Sequence, residues 1–145
     1  MSNKIRFTND EIRYIALFEN ITGAVARDLI IDESEGRVII VVRSGDVGLA
    51  IGKKGARVKM LSKMLNKNID IIEYSDKPED FLKNAFSPAK LNEIRITEKL
   101  NGQKIAVVTV NPHDKGIAIG KGGRIAERTR LLAKKYFEID NVIIN

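Results

Sequence analysis

The sequence predicts an α+β protein built from two copies of one small α-β-β-α-α-β unit, and three observations carry that expectation. Ten residues, Asp46 to Gly55 (DVGLAIGKKG), return 68 positions later as Asp114 to Gly123 (DKGIAIGKGG), with seven of the ten identical. A repeat of this kind means that one structural unit is used twice. In each half, β-branched runs of strand character alternate with stretches of helical periodicity. Between the halves stands only Ser75-Asp76-Lys77-Pro78, short and stiffened by proline, which places the expected domains at residues 1–76 and 77–145.

The elements follow in order. Residues 10–20 place Ile12, Ile15, Ala16, Leu17 and Phe18 near one helical face behind a Thr8-Asn9-Asp10 start signal, and Gly23 ends the helix. Residues 24–32 read as a strand, and Glu33-Ser34-Glu35-Gly36 as a solvated turn. Residues 37–43, RVIIVVR, form the clearest strand of the chain, with five consecutive β-branched residues. Asp46 stands where it could cap a short helix reaching Ile51. Gly52-Lys53-Lys54-Gly55 interrupts that helix, a longer one runs over 56–66, and residues 69–74 close the unit as a strand. The second half repeats the order. A helix over 79–84 leads to strands over 90–98 and 103–111 joined at Asn101-Gly102, a strong hairpin signal. A short helix (114–119), the loop Gly120-Lys121-Gly122-Gly123, a long helix (124–136) and a final strand (139–144) complete it.

Composition excludes several classes. The 145 residues contain no cysteine, so neither disulfides nor thiolate metal sites are available. No apolar run approaches the roughly 20 residues of a membrane helix, and the N-terminus lacks a signal-peptide core, so the expectation is a cytoplasmic protein with no membrane partner. Net charge is +6, but the segments 52–67 and 120–135 hold 12 of the 25 basic residues and 1 of the 19 acidic ones. The chain is thus mildly acidic except beside its two glycine loops. One lysine-rich helix face reads as a solvated surface; the same segregation in both repeats is the electrostatic footprint of a nucleic-acid binder.

The loops explain why. Two glycines three apart let the backbone turn sharply without a Cβ obstructing a ligand. The following helix presents unpaired N–H groups and the positive end of its dipole, which suits phosphate, and lysines at the tip add mobile charge. Ala50-Ile51 and Ala118-Ile119 form an apolar shoulder for bases, while 6% aromatics argue against stacking platforms. A nucleotide-binding P-loop would need Gly-Lys-[Ser/Thr], and a dinucleotide fingerprint would need glycine where Ile125 stands.

With both loops and the element order in view, the chain resembles a tandem of type II KH domains, in each of which helices cover a three-stranded sheet. The stretches AIGKKGARVKML (50–61) and AIGKGGRIAERTRLLAKKYF (118–137) are similar to those of the archaeal NusA-like family, relatives of the bacterial transcription termination and antitermination factors. The resemblance extends from about Ile5 onward. It implies single-stranded RNA as partner, gripped through Ile51, Gly52, Lys53, Lys54, Gly55, Arg57 and Lys59 in the first copy. In the second copy it implies Ile119, Gly120, Lys121, Gly122, Gly123, Arg124 and Arg128. It implies a role in transcription elongation, termination or antitermination. Bacterial relatives also carry a polymerase-binding domain and an S1 domain, for which 145 residues leave no room, so the RNA expectation is stronger than one of contact with RNA polymerase.

No residues form a plausible catalytic set, so no enzyme, cofactor or metal is expected. His113, the single histidine, lies in a Pro-His-Asp turn without a second ligand, and Tyr14, Phe18, Phe81 and Phe137 belong to the core or the domain junction. Two alternatives stay open. A KH-type factor in ribosome assembly or translation would use the same loops, and a protein-interaction scaffold would tend to lose the loop glycines or lysines, which are intact here.

Overall fold

In the computed structural model, which describes residues 7–145, Thr8 starts the first helix with both halves of a capping box. Its hydroxyl accepts from the Glu11 N–H at 3.2 Å, and the Glu11 carboxylate accepts from the Thr8 N–H at 2.7 Å, satisfying two N–H groups that a helix end otherwise leaves unpaired. Residues 1–6, where the sequence lacks a signal-peptide core and where the family resemblance begins, lie outside the described residues. The chain divides into two compact units that part between Ser75 and Asp76.

In the first unit α1 (Asn9–Thr22) stops at Gly23, whose φ of 74° is the left-handed conformation that glycine adopts without strain. Strands β1 (Ala26–Asp32) and β2 (Arg37–Val42) pair antiparallel, with Leu29 opposite Ile40. Strand β3 (Asn68–Glu73) then lies parallel to β2, with Ile71 opposite Ile40, giving the order β1-β2-β3. A parallel return cannot be made by a hairpin and needs a crossover. Here the crossover consists of α2 (Val47–Ile51), a single 3₁₀ turn (Lys53–Gly55) and α3 (Ala56–Leu65). The glycine loop is therefore the corner of the crossover. Every residue of β2 is buried, as its unbroken apolar run anticipates for a central strand. Val38, Ile40 and Val42 pack with Phe18, Leu29, Ala50 and Leu61 in one core.

The second unit repeats this arrangement with its own residues. Helix α4 (Pro78–Phe86) precedes antiparallel β4 (Leu91–Glu98) and β5 (Lys104–Val110). The crossover is α5 (Lys115–Ile119), a 3₁₀ turn (Lys121–Gly123) and α6 (Arg124–Phe137), and β6 (Asn141–Ile144) returns parallel to β5. Leu82, Phe86, Ala106, Val108, Ala133, Ile139 and Val142 form the core. Phe81 packs edge-on against Tyr136 at 5.5 Å between ring centroids.

Some expected details differ. Ile139 ends in the core before the last strand starts, because Glu138 takes a left-handed conformation that closes α6. The turn between β1 and β2 is bound rather than merely solvated. Asp32 accepts from the Ser34 hydroxyl and the Arg37 Nε, Arg37 also pairs with Asp70 at 3.5 Å, and Glu33 pairs with Lys67 at 3.1 Å. The Ser34 hydroxyl, aided by Arg37, holds the Asp32 carboxyl below its ordinary range. Asp46 does not cap α2 with its side chain. Its carboxylate accepts instead from the Val25 N–H at 2.9 Å and pairs with Arg43, binding the entry of β1 to the start of α2. Asp114 does the same in the second unit, accepting from the Lys90 N–H at 2.9 Å just before β4. The aspartate heading each repeat is thus a brace between strand entry and loop helix. Its long-range partner, invisible to local spacing, outcompetes the cap.

Candidate nucleic-acid interface

Both loops are built from the same backbone conformation. Gly52 (φ 76°, ψ 175°) matches Gly120 (φ 80°, ψ 165°), and Gly55 (φ 74°, ψ 17°) matches Gly123 (φ 79°, ψ 13°). The first glycine lies in a region that residues with a Cβ essentially never occupy. A Cβ on Gly52 would come within 2.8 Å of the Arg57 Cγ, and one on Gly120 within 2.9 Å of the Ile125 Cγ1 and 3.0 Å of its backbone nitrogen. The third loop position is left-handed in both copies, but there the residues differ. Gly122 adopts it freely, whereas Lys54 is held at φ 56°, ψ 28°. A lysine kept in that conformation costs about 1–2 kcal/mol.

The last loop glycine is also the N-cap of the long helix, and neither Gly55 nor Gly123 brings a side-chain acceptor to it. The first-turn N–H groups of α3 and α6 thus meet no capping side chain at the corner where Lys53, Lys54, Lys121 and Gly122 are exposed. An anion is the complement of such a corner. Beside it Leu49, Ile51, Ile117 and Ile119 keep between 36% and 46% of their surface exposed, whereas Ala50 and Ala118, expected to share this apolar shoulder, are buried in the two cores because they face the sheets.

The structure gives the residues singled out from the sequence different surroundings. Lys53, Lys54, Lys59 and Lys121 are exposed at or next to the loops, while Arg124 is half-buried on the first turn of α6. Arg57 also braces the scaffold, since its guanidinium donates to the Leu49 carbonyl at 2.8 Å and the Thr22 carbonyl at 3.3 Å. Arg128 donates to the Ala85 carbonyl at 2.9 Å. In each unit, then, an arginine of the long helix bonds a carbonyl at the C-terminal end of the first helix, where a cation is favoured. The two arginines stand at different repeat positions, so the repeat itself gives no hint of the shared role.

A cleft of about 340 Å³ opens in the second unit, lined by Ile119, Gly123, Ala126, Glu127, Asn141 and Ile143 among others. It runs from the loop between α6 and β6. The Arg130 Nε donates to the Val142 carbonyl at 3.1 Å on its wall. Sequence reasoning anticipated a groove beside the loop but not Glu127, Asn141 or Ile143 as its lining. The available signal was the run Val142-Ile143-Ile144, three consecutive apolar residues that one buried face of a strand cannot all absorb. Among the described residues, no group of three or more His, Cys, Asp or Glu side chains is placed to hold a metal, and no helix is long and apolar enough to cross a membrane.

Two three-stranded sheets, each with a crossover that turns on a Gly-x-x-Gly corner, define a KH protein. The KH domain family matches residues 11–99, and the NusA-like second KH domain matches residues 78–141. The chain belongs to the KH-domain family and, within it, to the archaeal NusA-like proteins. It is 35% identical over 96% of its length to the probable transcription termination protein NusA of Halococcus morrhuae, covering 97% of that protein. Identity to the protein of the same name from Methanocaldococcus jannaschii is 33%, over 96% of this chain and 74% of that one. The crystal structure of APE1850 superposes with a TM-score of 0.83 at 42% identity, covering 96% of this chain and all of the other.

Proposed function

We propose that the chain binds single-stranded RNA through its two glycine loops and acts in transcription termination or antitermination. The observation that carries the RNA reading is the doubled corner: two loops of one backbone geometry, each uncapped at the following helix and flanked by lysines and an apolar shoulder. Phosphates meet the loop amides with Lys53, Lys54, Lys59, Lys121 and Arg124, and bases rest on Ile51 and Ile119. Arg57 and Arg128 frame the site from behind. The glycines Gly52, Gly55, Gly120, Gly122 and Gly123 let the sugar-phosphate chain pass close to the backbone. The role in transcription follows from the names of the relatives, and contact would come through the nascent transcript. If four to six phosphates are neutralised, log K against log[salt] falls with a slope of roughly −3 to −4 for a single strand. A slope near zero contradicts a backbone-dominated grip. Crosslinking in cells and sequencing of the bound RNA should recover nascent transcripts near their 3′ ends; recovery of ribosomal RNA alone would favour a role in ribosome assembly.

A further inference from the structure

The two post-loop helices carry opposite charges at one position beside their loops. The fourth residue of α3 is Lys59, and the fourth residue of α6, at the same place in the repeat, is Glu127. Glu127 is the single acidic residue in either basic segment, and its charge opposes phosphate binding. It is exposed and lines the cleft beside the second loop. An acid in the first turn favours a helix dipole by a few tenths of a kcal/mol to about 1 kcal/mol, but α3 has none there. The other polar side chains lining the cleft are donors: Arg130, whose Nε is held by the Val142 carbonyl at 3.1 Å, and Asn141. The Asn141 Oδ1 accepts from the Val142 N–H at 2.9 Å, which orients the amide and leaves its NH₂ group as a donor for a ligand. Ile119, Ala126 and Ile143 supply apolar walls.

We infer that Glu127 is the base-selecting residue of the second loop, accepting a hydrogen bond from a base that carries an exocyclic amine and rejecting uracil. An ionised carboxylate is acceptor-only. Cytosine and adenine present an amine next to a ring acceptor, so their edge meets both the Glu127 carboxylate and the Asn141 donor. Uracil held in the same register turns its O4 carbonyl to that carboxylate and its N3–H to the Asn141 donor, so both contacts are lost. The first loop, with Lys59 at the matching position, adds grip without this discrimination. The inference rests on the RNA-binding reading and adds selectivity to it.

The test compares ten-nucleotide oligocytidylate and oligouridylate by fluorescence anisotropy with the full chain. Wild type should bind the cytidine strand about five- to tenfold more tightly, the low end of what one good base contact supplies. Glu127→Gln, whose amide can serve either base, should bring the ratio to about one, while Lys59→Gln should weaken both strands alike and leave the ratio intact. A Glu127 that merely supports its helix would change the thermal midpoint and not the ratio. Equal binding of both strands by wild type, or an unchanged ratio in Glu127→Gln, overturns the inference while leaving RNA binding standing. Failure of wild type to bind either strand overturns the RNA reading and the inference with it.

Discussion

Replacing Lys54 with glycine separates the conformational cost of the first loop from its charge. Lys54 sits at φ 56°, ψ 28°, where the second loop carries Gly122 at φ 65°, ψ 18°. Relieving a left-handed non-glycine residue returns about 1–2 kcal/mol. Glycine gives back about 0.4–1 kcal/mol of that through the freer unfolded chain. The net expectation for Lys54→Gly is a gain of about 0.5–1 kcal/mol, or roughly 2–8 °C in the midpoint for a unit of this size. The same change removes one exposed charge from the loop tip. An exposed ion pair contributes about 0.2–1 kcal/mol, so RNA affinity should fall roughly 1.5- to fivefold, with a salt slope shallower by about 0.7. Lys54→Ala provides the control, losing the charge while keeping the strain. Circular dichroism melts and anisotropy titrations on the three proteins read both quantities. If Lys54→Gly were less stable than wild type, the strain argument would be wrong. Unchanged affinity and slope would show that Lys54 meets no phosphate.

Two further expectations concern the scaffold. Gly120→Ala and Gly52→Ala should each cost about 1–3 kcal/mol from the forced conformation. Gly120→Ala should be the worse of the pair, because its Cβ meets the Ile125 backbone nitrogen at 3.0 Å, whereas the nearest atoms at Gly52 are all side-chain carbons of Arg57. Equal melting points for the two variants would count against this ordering. The Ser34 hydroxyl, with help from Arg37, lowers the folded pKa of Asp32 from its ordinary 3.8. Its stabilising contribution is therefore present above pH 3.8 and lost as pH falls through the folded value. Asp32→Asn should be less stable than wild type at neutral pH, with the gap closing under acid; a gap independent of pH would refute the pairing.

The fold was legible wherever one segment carried its own signal. Thr8 with Glu11, the run from Val38 to Val42, Asn101-Gly102 and the doubled glycine loop each specify local geometry, and each element lies within a few residues of its expected place. What depended on distant partners was not legible. Asp46 had the position of a helix cap and Asp114 headed the matching repeat, yet Val25 and Lys90, 21 and 24 residues earlier in the chain, hold their carboxylates. Arg57 and Arg128 read as charge offered to RNA, while backbone carbonyls in the first helices and at Leu49 engage their guanidiniums. The cleft escaped for the same reason. Glu127 and Asn141 are 14 positions apart in the chain and line one cleft only because β6 returns beside α6.

The central claim is that two loops of one geometry grip one kind of ligand, and replacing both loop tips tests it most directly. Lys53, Lys54, Lys121 and Gly122 are exposed, and changing all four to aspartate places repulsive charge where phosphate must pass. Aspartate tolerates the left-handed conformation of positions 54 and 122 better than most residues, so the melt should remain cooperative. Binding of a single-stranded RNA of about ten nucleotides should be lost. A folded quadruple variant that still bound that RNA within about threefold of wild type would contradict the account.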